Sequence, residues 1–433
     1  MPGKVSPHGY MPRLVDAQIE RYLSIFGAVE ITGTKWCGKT WSACRQANSI
    51  TYIDEGDNEA IARADPSLAL LGEQPHVIDE WQKVPKIWDT VRHAIDEKAR
   101  SRGAWILTGS STPNSDDDED MHSGAGRFGT VRMWPMSLFE SGDSTGEVSL
   151  AGLFEGKFEP TRVERATQRL AELCCRGGWP EAVDLAAEGA QEIARSYLNA
   201  VITKSIPKLK KNPDTAERLL SSLARNLCQA AKLETLRGDL VGDDSDAGNL
   251  VSTKTIADYL AAFSSMFLVD SLNGWAPPRR SPKRVQTKPK RYFADPSLAV
   301  AALGMNQTAV LSDWQTFGLV FENLCMRDLF IYSHVLSGAA FTPLRYYRDD
   351  SGLEADAIIE MSDGRWAALE IKLSEDKVQD GVNSLLKLRK KLCENAKARV
   401  REPEFLAVVV GISEYARKTP EGVYVLPITC LGA

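Results

Sequence analysis

The sequence predicts an α/β protein whose N-terminal part is a parallel sheet opening on a glycine-rich loop. Two observations carry this reading. The segment Gly33-Thr34-Lys35-Trp36-Cys37-Gly38-Lys39-Thr40 lies between an apolar run at 28–32 and a helix-forming stretch at 41–47. Short apolar runs then alternate with helical spacing as far as residue 134. Such alternation implies parallel strands covered by helices on both faces.

The loop spells glycine, four residues, then Gly-Lys-Thr. Glycines let backbone N–H groups turn inward around nucleotide phosphates, and the helix that follows points its positive end at them. Lys39 adds a mobile charge, and the Thr40 hydroxyl is a ligand for Mg²⁺. All eight residues from Gly33 to Thr40 are therefore expected at a bound nucleotide. A chance glycine turn before a helix is the competing reading.

The next strand, at 75–80, ends in Asp79-Glu80. Asp79 is expected to hold Mg²⁺ through water, and Glu80 to polarise the water that attacks the γ-phosphate. Two carboxylates at a strand end could equally cap the next helix. Over 86–99, Trp88, Val91, Ile95 and Ala99 share one face, which predicts a crossover helix. The apolar run at 104–107 ends in Thr108-Gly109-Ser110, where the Thr108 hydroxyl can orient water beside Glu80. Residues 113–120 are too acidic to pack and read as solvated chain. Arg127, ahead of a last strand at 131–134, is positioned to reach a γ-phosphate in its own subunit or a neighbour's. The second case requires a homo-oligomer, and a surface arginine in a glycine-rich loop is the alternative.

Composition sets the outer bounds. A chain of 433 residues has room for three domains at ~150 residues each. A net charge of -6 argues against a globally basic nucleic-acid coat, though not against local patches. There is no apolar stretch of about 18 residues that would cross a membrane, and the N-terminus has no secretory apolar core. Eight cysteines without metal-ligand spacing read as reduced thiols. Together these features predict a cytoplasmic chain.

From about 162 to 270 the sequence reads as helical, with apolar residues three and four apart over 166–175, 187–202 and 216–231. Ser252 precedes another helix as a hydroxyl cap. An earlier helix, a polar turn and this helix suggest a winged helix-turn-helix, with Thr253, Lys254 and Thr255 facing a DNA groove. A lid or interaction module fits the same pattern. The basic, proline-rich stretch at 277–291 carries Arg279, Arg280, Lys283 and Arg284. It reads either as a contact to nucleic-acid phosphates or as an irregular linker.

Near the C-terminus, a helix over 317–332 contains Glu322, and strands are expected at 344–347, 355–360 and 366–372. Strand alternation puts Glu370 and Lys372 on one side, and the hairpin brings Asp356 opposite them. Asp356 and Glu370 could hold Mg²⁺, with Lys372 activating water. A surface ladder of salt bridges is the competing reading.

The runs Tyr10-Met11-Pro12-Arg13, Trp36-Cys37-Gly38-Lys39-Thr40, Ile78-Asp79-Glu80-Trp81-Gln82-Lys83-Val84-Pro85 and Leu107-Thr108-Gly109-Ser110 belong together with three later ones. These are Gly126-Arg127, Pro135-Met136-Ser137-Leu138-Phe139-Glu140 and Gly177-Gly178-Trp179-Pro180-Glu181. Taken together, nearly the whole chain resembles a widespread group of prokaryotic AAA+-type ATPases. The resemblance implies a P-loop ATPase domain over 1–150, a helical and winged-helix-like region with a basic linker over 151–300, and a third domain over 301–433. That last domain is expected to have a PD-(D/E)XK fold, restriction-endonuclease-like, with Asp356, Glu370 and Lys372 in its motif and Glu322 as the extra acidic residue. The nucleotide implied is ATP, with Mg²⁺. Thr34 departs from the pattern, since many members carry proline there. The function implied is ATP hydrolysis coupled to movement of DNA-binding or nuclease-like domains. The alternative is a slow nucleotide-gated switch that acts through protein partners and carries an inactive nuclease-like scaffold.

Overall fold

The computed structural model describes residues 3–97, 102–109, 124–241, 251–395 and 400–433. The chain falls into two compact units, Met1–Pro135 with Phe263–Leu268, and Met136–Ala262 with Val269–Ala433.

In the first unit, five strands form one parallel sheet: β1 (Ala28–Gly33), β2 (Ser49–Tyr52), β3 (His76–Asp79), β4 (Trp105–Gly109) and β5 (Phe128–Met133). Their order is β2-β3-β4-β1-β5, so β4 lies between the strand that leads into the glycine loop and the strand that ends in Asp79. Four helices accompany them, α1 (Asp16–Ile25), α2 (Lys39–Gln46), α3 (Asn58–Ala64) and α4 (Lys86–Glu97). Strand alternation sorts the apolar side chains into two layers. Val29, Ile31, Val77, Ile106 and Val131 pack with Ile19 of α1 and Ala43 of α2. Ala28, Ile78, Trp105 and Leu107 pack with Ala62 of α3 and Ile87, Trp88 and Val91 of α4. Both faces are buried, which is why these strands read as near-continuous apolar runs. Trp88 also stacks on Phe128, with ring centroids 3.8 Å apart.

The strand β2 was not expected from the sequence, because Ser49-Ile50-Thr51-Tyr52 is an edge strand that is only half buried. β5 begins at Phe128, three residues earlier than the apolar run suggested. Ala99, Ser110 and the acidic run at 113–120 lie outside the described residues.

The second unit begins with helices and ends with a mixed sheet. The expected helix at 187–202 is α-helical over Ala187–Ala200 and then widens into a π turn, Val201–Ser205. Pro207 follows and has no N–H to give to the carbonyl four residues back. The expected helix at 216–231 instead spans Pro213–Arg225, capped by the Asn212 side chain on the Thr215 N–H at 3.0 Å. Beyond it, Cys228 is left-handed, with φ 63. Leu233–Val241 and Thr253–Ser265 are helical, and the Ser252 hydroxyl caps the second by accepting from Thr255 N at 3.0 Å.

An antiparallel ladder then joins Val269–Leu272 to Lys290–Phe293. The proline-rich segment between them is not wholly irregular, since Lys283–Gln286 forms one helical turn. In the seven-stranded sheet the order is Ala339–Arg348, Glu354–Met361, Trp366–Ser374, Phe405–Ile412, Tyr424–Pro427, Tyr415–Lys418 and Thr161–Arg162. The first two pairings are antiparallel, the next two parallel and the last two antiparallel. Helix Val378–Cys393 covers one face through Val378, Val382, Leu385, Leu388 and Leu392. Among the described residues, no helix is long and apolar enough to cross a membrane.

Candidate functional sites

Gly33 and Gly38 shape the loop at the end of β1. Gly33 has φ 145, and a Cβ there would overlap the Met133 carbonyl of the neighbouring strand. Gly38, at φ 98, turns the chain into α2. Both conformations favour glycine. Thr34, Cys37 and Lys39 are buried, whereas Lys35 and Trp36 are exposed. The Lys39 ammonium donates to the loop's own carbonyls, Gly33 O at 3.0 Å and Thr34 O at 2.9 Å. The Thr34 hydroxyl donates to Phe267 O at 3.1 Å, a contact that proline could not make. Phe267 is itself left-handed, with φ 55.

The loop is braced from the N-terminal segment. The buried Arg13 guanidinium donates to Cys37 O at 2.7 Å and to Trp134 O at 2.8 Å. Tyr10 OH donates to Asp16 at 2.7 Å and lies 2.9 Å from the Ser42 hydroxyl on α2. The run Tyr10-Met11-Pro12-Arg13 thus supports the loop from behind.

Parallel register brings the strand ends together. Asp79 pairs with Thr108, which in turn lies one strand from β1. The Thr40 hydroxyl donates to Asp79 Oδ1 at 2.9 Å, and the Thr108 hydroxyl donates to the same oxygen. Burial raises the Asp79 pKa above the usual carboxylate range, with Thr108 and Thr40 opposing and Glu80 and Asp54 adding to the shift. Glu80 adopts a left-handed backbone, φ 55 and ψ 39, just beyond the strand. Its carboxylate accepts from the Gln82 side-chain amide. The loop, Lys39, Thr40, Asp79 and Thr108 therefore share one edge of the sheet, with Glu80 next in the chain. The glycine cradle, the lysine and the hydroxyl–carboxylate pair suit a triphosphate and a hard cation.

Arg127 is not at that edge. Gly27 N donates to Arg127 O at 3.0 Å, so this residue sits where β1 begins. Six residues of extended chain at ~3.3 Å each separate that end from Gly33, about 20 Å. The side chain is ion-paired with Asp96 at 2.9 Å. The expectation that Arg127 reaches the γ-phosphate of its own subunit is therefore corrected, because parallel pairing sends it to the opposite end of the strands.

In the second unit, one register step beyond Ala357↔Leu369 sets Asp356 opposite Glu370. Glu370 bonds the Lys372 ammonium at 2.6 Å and accepts from the Ser384 hydroxyl at 2.9 Å. Asp356 accepts from Ile371 N at 2.9 Å. Burial, and after it the Asp356 charge, pushes the Glu370 pKa up to about 7. The same two causes push Glu322 to about 8. Burial works against the Lys372 charge, but Asp356 and Glu370 outweigh it and leave its pKa raised.

Sequence reasoning missed the cation at the centre of this group. Lys290, almost fully buried, lies 2.5 Å from Glu354, 3.4 Å from Asp356 and 3.8 Å from Glu322. Two positions along the same strand, Tyr292 OH donates to Glu322 at 2.9 Å. Period-two spacing of a lysine and a tyrosine within the basic stretch was the available signal. Among the described residues, no group of three or more His, Cys, Asp or Glu side chains is arranged to hold a metal ion. At Asp356 and Glu370, where a two-carboxylate Mg²⁺ site is expected, ammonium, amide and hydroxyl donors hold the carboxylate oxygens.

The basic stretch is also less available than its sequence suggested. Arg284 forms a two-bonded pair with Glu360, at 2.8 and 3.0 Å. Arg279 donates to Glu360 at 3.3 Å and to the carbonyls of Met361 and Ser362. Lys283 pairs with Asp350 at 3.1 Å on the surface. Burial would raise the Glu360 pKa, yet the Arg284 and Arg279 guanidiniums hold it below the usual range. Arg279, Lys283 and Arg284 are thus paired with carboxylates of their own unit, while Arg279 and Lys283 stay exposed. Lys254 and Arg280 are exposed.

Two motif runs serve a different purpose. Gly178 N donates to Asp295 at 2.9 Å and Leu138 N to Asp328 at 3.0 Å. Between those carboxylates lies Arg327, 2.9 Å from Asp295 and 2.7 Å from Asp328, all three essentially without solvent. Burial pushes Asp328 up to about 6 against the pull of Arg327.

Residues 26–141 match the family model of the AAA domain. Residues 167–309 and 317–431 match two domains of unknown function, DUF8612 and DUF4143. With its loop, strand order and acidic strand end, the first region is a P-loop AAA-type ATPase domain, a class that binds nucleotide.

Over 148 residues the chain is 30% identical to a cobalt-precorrin-5B C(1)-methyltransferase of Thermus thermophilus, covering 33% of this chain. The chain spans only 38% of that curated relative's length. Among solved structures, it is similar to the Walker-type ATPase paby2304 of Pyrococcus abyssi, with 11% identity and a TM-score of 0.44 over 70% of this chain and 98% of that one. It is also similar to RuvB of Thermotoga maritima, a Holliday junction branch migration motor, with 16% identity and a TM-score of 0.27 over 64% and 90% of the two chains. Cdc6p of Pyrobaculum aerophilum gives 14% identity and 0.24 over 74% and 98%.

Proposed function

We propose that this protein binds and hydrolyses ATP at the loop edge of its parallel sheet. The observation that carries the reading is the meeting of Thr40, Asp79 and Thr108 beside the glycine-lined loop. The loop N–H groups and Lys39 hold the phosphates, for which Lys39 gives up the carbonyls of Gly33 and Thr34. Thr40, and Asp79 through water, would hold Mg²⁺, which would supply charge neutralisation at the phosphates. Glu80 takes the proton of the attacking water, and Thr108 orients that water. Arg127 serves a neighbouring subunit's nucleotide, a role that its place at the far strand end leaves open to it and that requires a homo-oligomer.

The rest of the chain is the part that hydrolysis moves. We divide the whole chain as an ATPase domain over 1–150, a helical, winged-helix-like region with a basic linker over 151–300, and a nuclease-like domain over 301–433. Helices Pro213–Arg225, Leu233–Val241 and Thr253–Ser265 followed by the two-stranded ladder support the winged-helix reading. DNA is the partner it suits, with Lys254 and Arg280 as exposed contacts. A helix, three strands, a helix and a strand from 314 to 412 support a PD-(D/E)XK, restriction-endonuclease-like fold. Fold does not fix activity. The ammonium-filled carboxylate group favours an inactive scaffold, as in a nucleotide-gated switch that works through protein partners. Eight cysteines without disulfides support a reducing, cytoplasmic compartment.

The test is ATP turnover with Mg²⁺, measured alone and with single-stranded or duplex DNA. Turnover stimulated by DNA supports the coupled reading, and turnover indifferent to DNA leaves the switch. Failure to retain any labelled nucleotide in the presence of Mg²⁺ rejects both.

A further inference from the structure

Around Asp356 several carboxylates gather with a lysine at their centre. Three carboxylates, those of Glu322, Glu354 and Asp356, converge on the Lys290 ammonium. Asp356 spends one oxygen on Lys290 and the other on Ile371 N. Glu370 spends one on Lys372 and the other on Ser384. A divalent ion takes six or more oxygen ligands, or keeps several waters, and these oxygens are already engaged.

Lys290 is held firmly in this position. Its strand pairs with Val269–Leu272. The Asn323 side chain of helix Trp314–Val335 bonds both Phe293 N and Phe293 O at 2.9 Å. The ammonium also lies over the Tyr346 ring, 5.4 Å from its centroid. A buried ammonium at such a point pairs carboxylates that would otherwise be buried without a counter-charge.

We propose that Lys290 is a built-in cation that takes the place of a divalent metal, so that this carboxylate group binds no metal unless Lys290 is removed. The proposal concerns the carboxylate group of the domain read above as nuclease-like, to which the basic linker supplies Lys290, and stands apart from the ATPase reading. A group with this charge pattern is a closed structural centre with a latent Mg²⁺ or Mn²⁺ site beneath it.

The experiment uses the full chain without nucleotide, so that the glycine loop has no phosphates with which to share a metal. Mn²⁺ binding is followed by electron paramagnetic resonance, and thermal melting is recorded with and without Mn²⁺. Wild type is expected to show no site that Asp356→Asn removes. Lys290→Met is expected to gain Mn²⁺ affinity by on the order of tenfold or more, the scale on which ligand charge tunes such sites. Mn²⁺ should raise its melting temperature, and adding Asp356→Asn should cancel both effects.

Wild-type Mn²⁺ binding that is lost in Asp356→Asn and kept in Lys39→Ala overturns the proposal. So does a folded Lys290→Met protein with no gain. If Lys290→Met folds only with Mn²⁺, the proposal stands. If it fails to fold even then, the wild-type titration still decides. ATP turnover is measured in parallel, and its loss in wild type rejects the ATPase reading alone.

Discussion

The Thr40 hydroxyl donates to the Asp79 carboxylate at 2.9 Å, joining the first turn of α2 to the end of β3 across the strand between them. Two segments 39 positions apart in sequence thus meet at one oxygen, and the Thr108 hydroxyl reaches the same atom. Replacing Asp79 with Asn keeps the shape and removes the charge. Turnover should fall by roughly 100-fold or more, the scale of losing a preorganised charged group. Steady-state hydrolysis across a Mg²⁺ titration checks this, and unchanged turnover would remove Asp79 from the proposed site.

Glu80 separates binding from chemistry. Glu80→Gln should retain labelled ATP as wild type does and lose hydrolysis by about 10²–10⁴-fold, the range for a positioned general base. Filter binding and phosphate release, run on the same preparation, give the two readings. Loss of both together would mean that the left-handed turn at Glu80 depends on its bond to Gln82.

For Arg127, ion-paired to Asp96 at the far strand end, the expectation is a purely intersubunit effect. Arg127→Ala should bind nucleotide normally and hydrolyse it slowly, by as much as about 10³-fold if the residue acts as an arginine finger. Mixing it with Lys39→Ala should restore part of the activity, since each variant supplies what the other lacks. An active, strictly monomeric Arg127→Ala protein would make this a surface ion pair and nothing more.

The Asp295–Arg327–Asp328 group makes a stability prediction. Arg327→Met leaves two carboxylates buried without their cation, a loss of about 3–5 kcal/mol. Urea unfolding should show the second unit shifted, while nucleotide retention by the first unit in native buffer stays close to wild type. A change within experimental error would mean that the carboxylates find protons or other donors.

Glu30 lies in β1, between β4 and β5, and burial raises its pKa from 4.5 to about 7, with Thr130 opposing. The folded state therefore holds a proton that the unfolded chain releases between those values. Stability from this group is complete below pH 4.5 and declines as pH rises through about 7, by on the order of 3 kcal/mol. Glu30→Gln should flatten that part of the profile and melt higher than wild type near neutral pH. Parallel melting curves for the two proteins would disprove the assignment.

Legibility in the sequence followed locality. The glycine loop, Asp79 and Thr108 stood out because each sits at the end of a short apolar run, where a polar residue breaks the pattern. The half-buried strand Ser49–Tyr52 has no such contrast and was missed. Asp356, Glu370 and Lys372 could be paired from strand alternation alone. Lys290 could not, because its partners lie 32 to 66 residues later and it sits within the run Lys288-Pro289-Lys290-Arg291. The same stretch misled in the other direction. Arg284 read as exposed charge until Glu360, 76 residues further on, was placed beside it. For Arg127 the strand end was misjudged, since only the register fixes which end a loop occupies.

The Thr34–Phe267 bond has a practical consequence for anyone who dissects this protein. The hydroxyl at the top of the glycine loop finds its acceptor in Phe263–Leu268, a short return of chain from far downstream. Arg132 stacks over the ring of that same Phe267 as well as over Trp134. A fragment cut after Pro135 would keep every residue of the nucleotide motif and lose this second anchor. Weak ATP retention by such a fragment would report an unfinished domain, whereas a fusion carrying residues 263–268 on a flexible tether would test the loop in its completed form.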